Sequence, residues 1–279
     1  MRVPSSDGVE VTVHDLGGSG PLVLLSHATG FHGFVWRPVA DHLASNGFHC
    51  VALDYRGHGD TAAPPDWVVD WNRYGDDVTA VAGAVAEPGG IVGVGHSMGG
   101  AGVLMAALRH PGLFRALLVY EPVVMPTEGF GSTGPSPLVT GARRRRASFP
   151  SFEDAIANYA AKQPLQAFTP ESLHAYVHGG FRHGTDGYVH LKCTPEHEAR
   201  TFEASTSHDT WSRLGEITCP VWVVSGVPLP MQPSMVSRDV AERLADGRYL
   251  EFDDLDHFGP MTHPERIADL VRDLVASLE

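Results

Sequence analysis

Gly90-Ile91-Val92-Gly93-Val94-Gly95-His96-Ser97-Met98-Gly99-Gly100-Ala101 is the stretch on which the fold of this chain turns. Its opening run, Ile91 to Val94, is short and apolar, as in a strand buried on both faces. The run leads into Gly95-His96-Ser97-Met98-Gly99, a G-x-S-x-G pattern, and residues 98–109 are small and apolar enough for a closely packed helix. A serine at such a strand–turn–helix junction is lifted clear of the backbone, and the turn is tight enough to demand glycine on both sides. The helix N-terminus beside it favours developing negative charge. Gly93-Val94-Gly95 also begins a dinucleotide-type G-x-G-x-x-G. Its third glycine is replaced by Met98, however, and no acidic residue follows about 20 positions on. A nucleophilic serine is therefore expected, with an incidental serine in a glycine-rich turn as the plain alternative.

Outward from this stretch the chain alternates between two periods. Residues 9–13, 21–27 and 49–53 are expected as strands, and residues 36–45 and 72–85 as helices. After the junction, residues 116–120 form another strand, and then the rhythm breaks. Residues 126–142 are rich in Gly, Pro, Ser and Thr, and residues 152–213 are mainly helical with no buried-strand run. Strands resume at 220–224 and 248–252, with helices at 234–245 and 264–278. Strands alternating with helices in this way imply an α/β domain built on a parallel sheet.

Composition narrows the function classes. Of the 279 residues, 43% are hydrophobic and 19% charged, an ordinary globular balance. Lys plus Arg number 20 against 33 Asp plus Glu, a net charge of −13, which argues against nucleic-acid binding. Cys50, Cys193 and Cys219 form no C-x-x-C pair and are expected to be reduced. The N-terminal residues lack the apolar run of a signal peptide, and no stretch approaches the roughly 18 apolar residues of a membrane span. A cytoplasmic protein with no membrane association is expected.

Four features together resemble the α/β-hydrolase family. They are Ser26-His27-Ala28-Thr29-Gly30 with Trp36, Asp54-Tyr55-Arg56-Gly57-His58-Gly59, Gly95-His96-Ser97-Met98-Gly99-Gly100, and Asp256-His257-Phe258. Their order and spacing match over nearly the whole chain. The resemblance implies a mostly parallel eight-stranded sheet with helices on both faces and a helical cap inserted after the sixth strand. Residues 1–125 and 216–279 would then form the core, and 126–215 the cap.

The resemblance also assigns a catalytic set. A serine hydroxyl needs a base to take its proton. The family's base lies in the loop after the last strand, here His257, with His263 the nearest alternative. Most members place the acid just after the seventh strand, but Gly226-Val227-Pro228-Leu229-Pro230-Met231-Gln232 holds no carboxylate. A minority, haloalkane dehalogenases and some lactonases among them, carry it at the end of strand six, where Glu121 stands. A carboxylate ending a buried strand needs a partner, which a catalytic histidine would supply. Asp253, Asp254 and Asp256 are expected to be solvated loop residues. The oxyanion would be held by the N–H groups of Met98 and Thr29, with Ala28 where the family commonly has glycine.

The expected chemistry is hydrolysis of a small carboxylic ester or lactone through an acyl-enzyme, with no metal or organic cofactor. Phe31, Trp36, Met125 and Phe258 are candidates for an apolar pocket, and each could equally be core. A C–C bond hydrolase and a cofactor-free perhydrolase would use the same residues. A ligand-binding receptor on this scaffold is the non-enzymatic alternative. His174 and His178 are expected to be partly exposed helix residues rather than a metal pair, and Arg143 to Arg146 a solvated charge run. Asp54 and Arg56 are expected to tie loops together.

Overall fold

Consecutive hydrophobic residues let the central strands pack on both faces at once. Leu22 and Leu24 enter one apolar cluster while Val23 and Leu25 enter another, and Ala116 to Tyr120 divide in the same alternating way. The computed structural model describes residues 1–64, 66–126, 136–230 and 232–278. Its main sheet comprises β1 (Arg2–Pro4), β2 (Glu10–Gly18), β3 (Leu22–Ser26), β4 (His49–Asp54), β5 (Ile91–His96) and β6 (Phe114–Tyr120). After an insertion carrying β7 (Ser148–Phe149), β8 (Phe181–His183) and β9 (Val189–Leu191), the sheet is completed by β10 (Val221–Ser225) and β11 (Gly247–Glu251). The eight strands run in the order β1-β2-β4-β3-β5-β6-β10-β11. The β1–β2 and β2–β4 pairs are antiparallel and the others parallel. The chain has the α/β-hydrolase fold.

The helices in chain order are α1 (Arg37–Ser45), α2 (Trp71–Ala84), α3 (Met98–Arg109), α4 (Pro137–Arg143), α5 (Phe152–Ala160) and α6 (Pro170–Gly180). They continue with α7 (Pro195–Glu203), α8 (Thr210–Arg213), α9 (Ser237–Arg243), α10 (Gly259–Thr262) and α11 (Pro264–Ala276). Apolar residues of α1 and α11 join one cluster, and those of α2, α3 and α9 join the other, so both sheet faces are covered. The connection from β3 leads outward to β4, whereas that from β5 leads the opposite way to β6. A crevice opens where such connections diverge, at the C-terminal ends of the strands. The loop carrying Thr29 and the turn carrying Ser97 meet there.

Side-chain caps set the insertion's helices. Ser151, Thr169 and Thr194 accept hydrogen bonds from the N–H groups of Asp154, Ser172 and His197 at 3.0, 3.1 and 3.2 Å. Each such cap contributes about 1 kcal/mol. Phe149, Tyr159, Phe168, Tyr176 and Phe181 join the apolar cluster on the α1–α11 face. The insertion is also tied down by hydrogen bonds from Trp71 Nε1 to the Thr201 carbonyl and from the Thr169 N–H to the Met261 carbonyl.

Two expectations for the insertion need correction. β7, β9 and β8 form a small antiparallel sheet in a segment expected to be mainly helical with no buried-strand run, because strands of two or three residues are too short to show a period. The basic run is not uniformly solvated either. Arg143 is exposed and bridges Glu196 and Glu203 at 2.9 and 2.8 Å. Arg145 instead turns inward to Glu198, Tyr159 and Tyr176, partners drawn from three different helices.

Candidate active site

Steric exclusion at two glycines shapes the turn around Ser97. A Cβ on Gly95 would overlap the Gly99 carbonyl, and one on Gly99 would overlap the carbonyl of Ser26 on the neighbouring strand. Ser97 itself has φ 57° and ψ −114°, a conformation that costs a non-glycine residue about 1–3 kcal/mol and persists only where the surroundings impose it. Its N–H donates to the Tyr120 carbonyl at 3.0 Å, and its carbonyl accepts from Ala101 and Val123 at 3.1 Å each. Held in this way, Ser97 stands immediately before the first residue of α3.

Glu121 extends β6, its N–H donating to the Val224 carbonyl at 2.9 Å. It too has a positive φ, 43°. Its carboxylate is 1% exposed. One oxygen lies 2.6 Å from His257 Nδ1, and the other accepts the Gly226 N–H at 3.0 Å. The segment after β10 thus contributes a backbone donor to the carboxylate. Gly226 has no space for a side chain, since a Cβ would overlap the Leu255 carbonyl. A short hydrogen bond from imidazole to carboxylate fixes ring orientation and stabilises the protonated ring.

Two contacts that the sequence did not disclose hold the His257 loop. His96 Nε2 donates to the His257 carbonyl at 2.7 Å, and the Tyr120 hydroxyl donates to the Asp256 carbonyl at 2.6 Å. Burial holds His96 well below its ordinary value, which favours the neutral ring. Burial and the Glu121 charge raise Tyr120 and keep its proton. Of the nearby aspartates, Asp254 pairs with Arg266 at 2.7 Å and Asp256 caps the Phe258 N–H at 2.8 Å. His263 is exposed and bonds Thr262 at 2.9 Å.

The Thr29 loop approaches α3 closely enough for its hydroxyl to contact Met98 Sδ at 3.5 Å. Among the described residues neither the Thr29 nor the Met98 N–H has a hydrogen-bond partner. Next to them His27 donates from Nδ1 to the Ala28 carbonyl at 2.8 Å and accepts the Tyr55 N–H on Nε2 at 3.1 Å. Burial lowers His27 to about 4, which keeps that tautomer neutral. Ala28 therefore leaves the loop anchored.

The apolar candidates separate. Phe31 and Phe258 lie 6.3 Å apart, and both approach Phe168 of the insertion, at 6.2 and 5.6 Å. Trp36 has no exposed surface and is core. Met125 packs against the opposite apolar cluster from Phe31 and Phe258. His174 and His178 are exposed and stacked on each other with ring centroids 3.9 Å apart.

Among the described residues, one group of three potential ligands brings its donor atoms within 4.8 Å of one another: His14, Asp54 and Asp60. Asp54 already accepts from the Gly33 and Asp60 N–H groups and from His14, while Asp60 pairs with Lys192 at 2.8 Å. A cation there would have to displace these partners. They are structural ties, as are the contacts of fully buried Arg56 with Asp77 and Asp7. No helix among the described residues is long and apolar enough to cross a membrane.

A family model described as "Alpha/beta hydrolase family" matches residues 22–270. The bifunctional esterase/perhydrolase DCH of Acinetobacter calcoaceticus is 26% identical over 279 aligned positions, covering 95% of each chain. The 2-(acetamidomethylene)succinate hydrolase of Mesorhizobium japonicum is 34% identical over 104 residues, which is 37% of this chain and 36% of that protein. A crystal structure of E-2-(acetamidomethylene)succinate hydrolase superposes with a TM-score of 0.80 over 99% of both chains, at 20% identity. With the family model matched over most of its length, the chain belongs to the alpha/beta hydrolase family.

Proposed function

We propose that this protein hydrolyses a small carboxylic ester or lactone, with Ser97 as nucleophile. His257 takes the Ser97 proton as the hydroxyl attacks the carbonyl carbon, and returns it to the leaving oxygen. Glu121 orients His257 and stabilises its protonated form, while the Met98 and Thr29 N–H groups receive the oxyanion. Water, deprotonated by His257, then releases the acyl group. Of the expected cap, residues 126–215, positions 127–135 lie outside the described residues; the remainder acts as the cap over this site, and Phe31 and Phe258 form part of the apolar wall.

The observation carrying this proposal is the 2.6 Å contact between His257 Nδ1 and the buried Glu121 carboxylate. It supports the reading because it pairs an imidazole with a buried carboxylate on a loop that His96, next to the strained Ser97, holds in place, in a family of hydrolases. The name of the Acinetobacter relative favours a second activity, in which hydrogen peroxide replaces water and the acyl-enzyme yields a peracid. Steady-state hydrolysis of short p-nitrophenyl esters and lactones tests the first proposal. Ser97→Ala should lose about a thousandfold or more in kcat with an unchanged thermal transition. A loss below about tenfold would remove Ser97 from the nucleophile's role.

A further inference from the structure

One buried polar cluster outside the proposed triad has more hydrogen-bond donors than acceptors. Arg145 gives one terminal nitrogen to Glu198 and the other to the hydroxyl oxygens of Tyr159, at 3.2 Å, and Tyr176. Both phenols accept from the guanidinium, and among the described residues neither O–H donates to any acceptor. Tyr159 and Tyr176 are only 9% and 3% exposed, so bulk water serves them poorly. Burial raises the Tyr176 hydroxyl above its ordinary value, so it remains a donor. Glu198 offers no relief to the phenols, because it lies on the first nitrogen and leans over Gly30.

This cluster adjoins the candidate site. A Cβ on Gly30, next to Thr29, would overlap Glu198 Oε1 and lie 3.3 Å from an Arg145 terminal nitrogen. The Tyr176 ring packs edge-on against Phe31 at 5.1 Å, and Phe31 adjoins Phe258, the residue after His257. A substrate with its carbonyl beside Thr29 and its chain along Phe31 would bring its far end to the two phenols.

We propose that Arg145, Tyr159 and Tyr176 bind a carboxylate on the substrate, so that the preferred ester or lactone carries a free acid group. The assignment rests on the hydrolase proposal above. A neutral carbonyl oxygen has lone pairs for both phenol protons, but a carboxylate also brings the negative charge that the guanidinium beside them attracts. Hydrogen bonds to an ionised acceptor are also the stronger kind, and a guanidinium polarises the phenols that donate them. Glu198 offsets part of the guanidinium charge, which limits the preference to about tenfold to a hundredfold.

Two measurements on the full chain test this. In the first, kcat/KM is compared for monomethyl and dimethyl esters of succinic, glutaric and adipic acids. In the second, calorimetry compares binding of the free dicarboxylates and their dimethyl esters to Ser97→Ala. The monoester should be favoured by at least about tenfold in one of the three pairs, and the matching dicarboxylate should bind tighter than its diester by a similar factor. Replacing Tyr159 and Tyr176 together by Phe should reduce both preferences to about threefold or less. Arg145→Met strands Glu198 and is expected to weaken the insertion, so the double Phe variant is the deciding one. Equal handling of monoesters and diesters, or a preference that survives the Phe substitutions, would overturn the assignment. If wild type turns over no ester, the hydrolase proposal fails and the binding comparison alone decides this one.

Discussion

Two histidine–carboxylate pairs of closely matched burial have their carboxylates at the C-terminal ends of β4 and β6. In each the carboxylate is 1% exposed, and the histidine side chains are 21% exposed for His257 and 23% for His14. Their surroundings differ. Asp54 serves three donors, the N–H groups of Gly33 at 2.6 Å and Asp60 at 2.7 Å and His14 Nε2 at 2.9 Å. It is a hub that fastens two turns and a neighbouring strand. Glu121 serves one backbone N–H and the Nδ1 of His257, and His257 Nε2 has no partner among the described residues. Pairing with a buried carboxylate therefore does not by itself mark a base. Each histidine keeps one ring nitrogen without a partner among the described residues, so what sets His257 apart is that His96, next to Ser97, holds its backbone carbonyl.

The contrast predicts that equivalent amide substitutions separate activity from stability. If Glu121 has the proposed role, Glu121→Gln should lower kcat by about a thousandfold or more while the thermal midpoint moves little. If ester hydrolysis survives that change within about tenfold, the assigned acid is wrong. Asp54→Asn should do the opposite. It leaves buried donors mismatched, costing about 2–4 kcal/mol and lowering the midpoint by about 5–10 °C, with activity per folded molecule largely kept.

The Asp54 pair also has a pH signature. Burial pushes the Asp54 carboxyl up, but the His14 hydrogen bond and charge outweigh it and hold the carboxyl well below the usual range. A carboxyl depressed in the folded state contributes stability that is complete above its unfolded value, about 4, and is lost as pH falls toward its folded value. The midpoint gap between wild type and Asp54→Asn should therefore stay constant above about pH 5 and narrow below about pH 4. A gap that widens on acidification would contradict the assignment. The smallest effect is expected at His14→Ala, about 1 kcal/mol or less, because the half-exposed ring is only one of three donors on Asp54. Thermal melts at neutral pH read it directly.

The sheet was legible where burial on both faces writes continuous apolar runs, as at residues 91–94 and 117–120. The tight turn at Ser97 was legible because the close approach of Gly99 to the Ser26 carbonyl forbids any other residue at position 99. Glu121 showed itself as a charge ending an apolar strand. The clamps by His96 and Tyr120 did not, because they join residues 161 and 136 positions apart and involve carbonyls that carry no sequence signal. Arg145 was hidden for a related reason. In a run of four arginines nothing local says which one turns inward, since its partners come from α5, α6 and α7. Trp36, with no exposed surface, shows the limit of reading an aromatic side chain as a pocket wall, because packing on the sheet face decides where it points.

The most direct test of the central claim is the intact mass of wild type and Ser97→Ala after treatment with a fluorophosphonate that phosphonylates activated serines. The account predicts one adduct per wild-type chain and none on folded Ser97→Ala. An adduct that persists on Ser97→Ala, or none on folded wild type, would contradict it.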